Sequence, residues 1–167
     1  MGDRVGLTDY NSGGFDTFVA STDLNALASG TAAANYKMGA AIDNSGSNGF
    51  LYGDLEIVFR DGTPADTTVT TGSGTPYIDV YLLPSADAGT RYPTTNGGST
   101  AGPTQAGLLA RRWELPASTA IGIILIPRLA LPIYFKGMIN WVGGVAFPSN
   151  NNSLCRLKRY GERGNLT

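Results

Sequence analysis

The chain has 167 residues, 42% of them apolar, with 23 glycines, 9 prolines and a formal net charge of −1. That balance suits one turn-rich all-β domain with a core of its own and names no partner by total charge. There is no histidine and one cysteine, Cys155, which removes the commonest general base and metal ligand and excludes a Cys-rich zinc site and an internal disulfide.

Residues 1–14 are polar and Gly-rich and read as an N-terminal arm; "MGDRVGLTDY" lacks the apolar core of a signal peptide. Phe15, Phe18 and Val19 suggest an edge strand. "STDLNALASG" predicts one short helical turn before Gly30. "TAAANYKMGAAIDNSGSNG" runs into a Gly/Asn/Ser turn. "LYGDLEIVFRDG" is the clearest strand: Leu51, Leu55, Ile57 and Phe59 alternate with Tyr52, Asp54, Glu56 and Arg60, and Val58 breaks the pattern. Asp61–Gly62 turns it.

"PYIDVYLLP" sets Ile78, Val80 and Leu82 against a wet face of Tyr77, Asp79 and Tyr81. Residues 85–107 form a long loop without hydrophobic pattern, of the kind that is functional or mobile. "LLARRWELP" and "AIGIILIP" predict two more strands. The apolar stretch around them is broken by Pro127, Arg128 and Pro132 and is too short to span a membrane. "PIYFKGMINWVGG" alternates Ile133, Phe135, Ile139 and Trp141 with Tyr134, Lys136, Met138 and Asn140. "SLCRLKRY" is the last strand, and residues 161–167 are a tail. Seven or eight strands with turn signals between them predict a single all-β domain over 15–160, a β-sandwich of jelly-roll type, with extended N- and C-terminal arms.

Candidate chemistry is sparse. Asp54 and Glu56 lie two apart on one strand face, as acid/base pairs do, but solvated strand faces look the same. Asp61, Asp66, Asp79 and Asp87 supply carboxylates without a calcium-loop spacing. Cys155 has basic neighbours but no histidine to pair with, and reads as a small core residue. "NNS" and "NLT" match the glycosylation pattern, which without a signal peptide is coincidence. These residues predict no enzyme and no cofactor.

Charge is the informative feature. Residues 1–90 carry eleven carboxylates against three basic residues, whereas residues 91–167 carry nine basic residues against two acidic ones. Either the halves interleave and neutralise each other, or the asymmetry marks an electrostatic interface. The strongest local cluster is Arg156, Lys158, Arg159 and Arg163. With only Tyr160 interleaved, an acidic protein surface suits it better than nucleic acid, and charge that simply keeps a strand edge soluble accounts for it as well.

"LNALASG", "AIDNSGSNGFLYGDLEIVF", "YIDVYLLPSADAGTRY" and "GGVAFPSNNNSLCRLKRY" together resemble small virion structural proteins of tailed bacteriophages. The shared pattern is a Leu-Ala-Ser segment before an Asp-Asn turn, two alternating strands and a closing basic strand. Ala88 stands where a tight Asp-Gly turn is usual. The resemblance implies a capsid cement or decoration protein, made in the host bacterial cytoplasm and carried on the capsid surface. It would bind the major capsid protein as a homo-oligomer, with a trimer favoured, and engage neither nucleic acid nor membrane. The interface residues expected on this basis are Arg4, Tyr10, Phe15, Arg156, Lys158, Arg159 and Arg163. The alternative is a head-fibre or tail-associated protein that binds host glycans through Tyr77, Tyr81, Tyr92, Trp113 and Trp141.

Overall fold

The computed structural model describes residues 14–30, 35–45, 49–61, 66–93 and 108–162. The arm over 1–13, the turn at 46–48, the loop over 94–107 and the tail beyond 162, with Arg4, Tyr10 and Arg163, lie outside the described residues. In chain order the elements are β1 (Asp16–Val19), α1 (Ser21–Leu24), β2 (Tyr36–Asp43), β3 (Phe50–Val58), β4 (Val69–Thr70), β5 (Tyr77–Pro84), β6 (Leu109–Glu114), β7 (Ala120–Ile121), β8 (Ile123–Ala130), β9 (Tyr134–Val142) and β10 (Leu154–Glu162).

Two four-stranded sheets are antiparallel throughout. One, sheet A, has the order β1-β10-β3-β8; the other, sheet B, has the order β2-β9-β5-β6. A two-stranded ribbon joins β4 to β7. The pairings nest: β1 with β10, β2 with β9, β3 with β8 and β5 with β6. The chain therefore behaves as one long hairpin folded over itself. Its inner faces meet in a single apolar core that includes Phe18, Leu55, Ile57, Ile78, Phe135 and Trp141. This is a β-sandwich, as the alternating strands predict.

Three local expectations need correction. First, β2 is a full strand although "YKMGAAID" carries little β signal. Gly39 and the two alanines after it let β1 approach closely. A Cβ on Gly39 would collide with the Phe18 carbonyl oxygen, and a one-residue bulge between Met38 and Ala41 absorbs the crowding. Second, β8 does not stop at Pro127 but runs on to Ala130. It is an edge strand, where proline is tolerated. Arg128 takes a left-handed φ of 57°, with a register shift between Gly53 and Leu55 opposite it.

Third, the outer face of sheet B is not wet. Tyr81, Leu83 and Met138 are buried there with Met38, and Tyr36, Tyr92 and Leu108 pack against them. Asp79 and Asn140 are buried in the next row, as direct cross-strand neighbours. Asp79 is tolerated because the Arg112 guanidinium donates Nε to Oδ1 at 2.7 Å and Nη2 to Oδ2 at 2.8 Å. The central strands β5 and β9 are therefore covered on both sides, and period-two alternation alone does not tell a wet second face from a dry one.

A second close inter-sheet contact sets Gly137 of β9 beneath the Phe18 ring, where any side chain would strike the ring. Gly137→Ala is expected to destabilise by about 1–3 kcal/mol through overpacking. In a Phe18→Leu background the same substitution is expected to cost clearly less, because the obstructing ring is gone. Urea denaturation of the two single variants and the double variant checks this; additive costs would place the strain elsewhere.

Candidate interaction face

β10 lies between β1 and β3, so its side chains alternate between the core and the outer face of sheet A. Cys155 and Leu157 point inward and are buried. Arg156, Lys158 and Tyr160 point outward, directly opposite Glu56, Asp54 and Tyr52 of β3. Arg156 donates Nη2 and Nε to Glu56 Oε1 at 2.7 and 3.1 Å. Asp54 Oδ1 accepts the backbone N–H of Arg128 at 2.8 Å. The Tyr52 and Tyr160 rings lie 6.1 Å apart, and the Arg128 guanidinium stands 5.0 Å over Tyr52.

Apolar side chains flank these columns. On the β1 side the Phe15 ring is 44% exposed, with the Arg156 guanidinium 3.9 Å and the Lys158 ammonium 5.4 Å from its centre. On the β8 side Ile123 and Leu125 stand opposite Val58 and Glu56 and are 56% and 54% exposed. The outer face of sheet A thus reads across its strands as apolar, cationic, anionic, apolar. A shallow groove of roughly 370 Å³, lined by Phe15, Thr17, Leu154 and Arg156 among others, runs along its β1 edge.

Arg159 sits on the opposite side of β10 from Arg156 and Lys158. It grips Asp16 of β1 with both ends of its guanidinium, at 2.6 Å from Nε to Oδ2 and 3.1 Å from Nη2 to Oδ1. Its Nη1 donates to the Asp43 carbonyl at 3.0 Å, so one side chain ties sheet A to the end of β2. Asn44 completes that end. Its Nδ2 donates to the carbonyls of Phe50 and Pro132 at 2.8 and 3.1 Å, and its Oδ1 accepts the Phe50 N–H at 2.9 Å. Asp43 makes the adjoining turn by accepting the Ser45 N–H at 2.8 Å. The bonds from Ser45 hold the Asp43 carboxyl below the ordinary range.

The uneven charge along the sequence is largely met inside the chain. Arg112–Asp79, Arg156–Glu56 and Arg159–Asp16 each join a cation of the second half to a carboxylate of the first. Of the expected interface residues, Phe15, Arg156 and Lys158 come together on the outer face of sheet A, whereas Arg159 belongs to the sandwich end. Sequence reasoning missed Arg128, Ile123 and Leu125. "GIILIP" is apolar at every position, so its period hides which side chains face out, and Arg128 reaches the face only through its bulge.

The aromatic residues considered for glycan stacking do not converge. Tyr77 lies under the Arg112 guanidinium at 3.9 Å. Tyr81 and Trp141 are buried, and Trp141 Nε1 donates to the Val145 carbonyl at 2.6 Å. Trp113 packs partly against the core, and Tyr92 has a buried hydroxyl. The carboxylates weighed as calcium ligands are separately engaged: Asp66 with Arg60, Asp79 with Arg112, Asp61 with Asn150, and Asp87 with Ser85. Among the described residues no group of three acidic or sulfur ligands could hold a metal ion, and no helix is long and apolar enough to cross a membrane. No family model, curated protein or solved structure matches this chain.

Two outcomes follow from these contacts. The Arg159 side chain is 14% exposed and that of Arg156 33%. Arg159→Ala is therefore expected to cost about 2 kcal/mol, because it strands Asp16, while Arg156→Ala costs less than about 1 kcal/mol. Equal costs in urea titrations would remove the distinction. The second outcome concerns alkaline pH. Burial, and secondarily the charge of Asp79, raises the Tyr81 phenol above its ordinary value of 10.0, and burial raises the Cys155 thiol above 9.0. Groups raised in the fold stabilise it fully below their unfolded values and lose that contribution as pH climbs past them. Stability should fall as pH rises above 9, and Tyr81→Phe should flatten the part of the fall above 10. An unchanged slope in that variant would assign the loss to other groups.

Proposed function

We propose that this chain is a non-enzymatic structural protein of a tailed-phage particle, of the capsid cement or decoration kind. It sits on the capsid surface, binds the major capsid protein as a homo-oligomer and stabilises contacts between capsomers. The observation that carries this is the outer face of sheet A, where Phe15, Ile123 and Leu125 are exposed around the Arg156–Glu56 ion pair and the facing residues Lys158 and Asp54. Such a face suits another protein surface: apolar flanks give area to bury, and locally paired charge gives register without a large net field.

The fold supports the same role. Nested pairing over two sheets supports reading the sandwich as a jelly roll, a scaffold that presents its faces for contact. Several modest contacts per subunit then add through multivalency, and no single one has to be strong. The glycan-binding alternative, at a head fibre or tail, draws less support because its aromatic candidates are dispersed or buried.

The test is co-sedimentation of the purified protein with undecorated capsids across a salt series. Saturation at a fixed number of copies per capsomer, weakened by salt, is expected. No binding at any ionic strength would overturn the capsid role and move the protein to a fibre or tail position.

A further inference from the structure

The outer face of sheet A is self-complementary. Across the strands the face carries Phe15 just ahead of β1 and Thr17 on it, the cations Arg156 and Lys158 on β10, the carboxylates Glu56 and Asp54 on β3, and Ile123, Leu125 and Arg128 on β8. Reversing that order exchanges the cationic and anionic columns and sets the two flanks against each other. We infer that this face is the site where a second copy of the chain docks, sheet on sheet, about a twofold axis that runs parallel to the strands between β10 and β3. This rests on the reading of the face as a protein contact and names its occupant. It gives an isologous pair in place of the threefold order that the resemblance implies.

The strand register makes the match row by row. A rotation about that axis keeps each row at its own height. Arg156 then lies over the partner's Glu56, and Lys158 over the partner's Asp54. The Tyr52 and Tyr160 row meets its own copy in reverse. Phe15, beside the Lys158 row, faces Arg128, so the guanidinium caps an aromatic ring on the facing sheet. Thr17, which pairs with Arg156, faces Leu125. Each cross-strand couple of a cation and a carboxylate, Arg156 with Glu56 and Lys158 with Asp54, becomes half of a four-charge cluster with alternating signs, and no like charges are set opposite each other.

Size agrees with a modest pair. Strands β1, β10, β3 and β8 have 4, 9, 9 and 8 residues; at about 3.4 Å per residue and about 4.8 Å between strands they present a face of about 490 Å² per copy before side-chain relief. Two such faces fall near the lower limit for specific interfaces, about 1,000–1,200 Å² in total. Aligned sheets pack about 10 Å apart with a twist of about 30°, which keeps the Arg156 and Lys158 rows, near the centre, in contact. Sheet B offers no equivalent, because the outer sides of β5 and β9 are already covered.

The experiment is sedimentation equilibrium of the full chain and of two charge-reversed forms, alone and mixed. Arg156→Glu with Lys158→Glu makes both inner columns acidic. Asp54→Lys with Glu56→Lys makes both basic. The unmodified protein is expected to dimerise at tens of micromolar, more weakly as salt rises. Each reversed form alone should lose self-association by about a hundredfold or more, because like charges now face each other. An equimolar mixture should recover a one-to-one heterodimer. Far-UV circular dichroism establishes that each form is folded. Ile123→Lys with Leu125→Lys, which disturbs no ion pair, should also dissociate the unmodified dimer.

A protein that stays monomeric at about 1 millimolar, roughly tenfold or more above the tens of micromolar expected of so small an interface, or a dimer that survives either the charge reversals or the β8 substitutions, overturns the inference. A monomer that still saturates capsids would sink the pair and leave the capsid role standing. A dimer that ignores capsids would do the reverse.

Discussion

The last strand of the chain is inserted between the first strand and the third, and the rest of the molecule depends on that insertion. Without β10, sheet A has no centre: β1 has no hydrogen-bonding neighbour and β3 keeps only β8. The pairing of Asp16 with Leu157 closes nearly the whole length of the chain. Loop closure of that span costs entropy before any contact repays it, so the sandwich is a fold of high contact order. The charges on β10 follow from the same placement. Its outer cations Arg156 and Lys158 stand opposite the carboxylates of β3, and each cross-strand pair contributes roughly 0.2–1 kcal/mol to fixing the register.

The two sheets then divide the work. Sheet B is a dry layer on both sides at its centre, with Trp141, Ile139 and Ile78 on the core face and Met138, Leu83 and Tyr81 on the other. Such a layer is rigid and offers no contact of its own. Sheet A is dry on one side only. Its outer face keeps charge in its middle columns and apolar groups at its flanks, and this makes it the surface on which recognition of another protein can be built. The covered outer face of sheet B also explains why aromatics at Tyr77 and Tyr81 make no sugar platform.

The sandwich end where Arg159, Asp16, Asp43 and Asn44 meet shows how a cation on a core-facing strand position is accommodated. A buried guanidinium is costly unless its donors are used, and here Asp16 and the Asp43 carbonyl take them. Asn44 plays the corresponding part for three stretches of backbone, joining the ends of β2, β3 and the turn into β9. The "IDNS" segment is thus a structural joint, and its polar residues serve the fold.

Much of this was legible beforehand. Alternation in "LYGDLEIVF" marked a half-buried strand and set Leu55, Ile57 and Phe59 inward, because a strand with one wet face must alternate, though Leu51, expected with them, is exposed at the strand's start. The absence of histidine and the core place of the lone Cys155 also followed from residue types, whereas Phe15, Arg156 and Lys158 were named together only as interface residues that the resemblance implies. Other features were decided only when strands met. β2 exists because β9 pairs with it and because glycine admits Phe18, a reason that lies in another part of the chain. The outer side of β5 is dry because residues distant in sequence cover it. Arg156 and Arg159, three residues apart in one basic run, part company because a strand sends them to opposite faces. Local pattern determines which side chains share a face, since that depends only on the pleat. What lies against each face is set by pairing across the whole chain, and only the tertiary structure decides it.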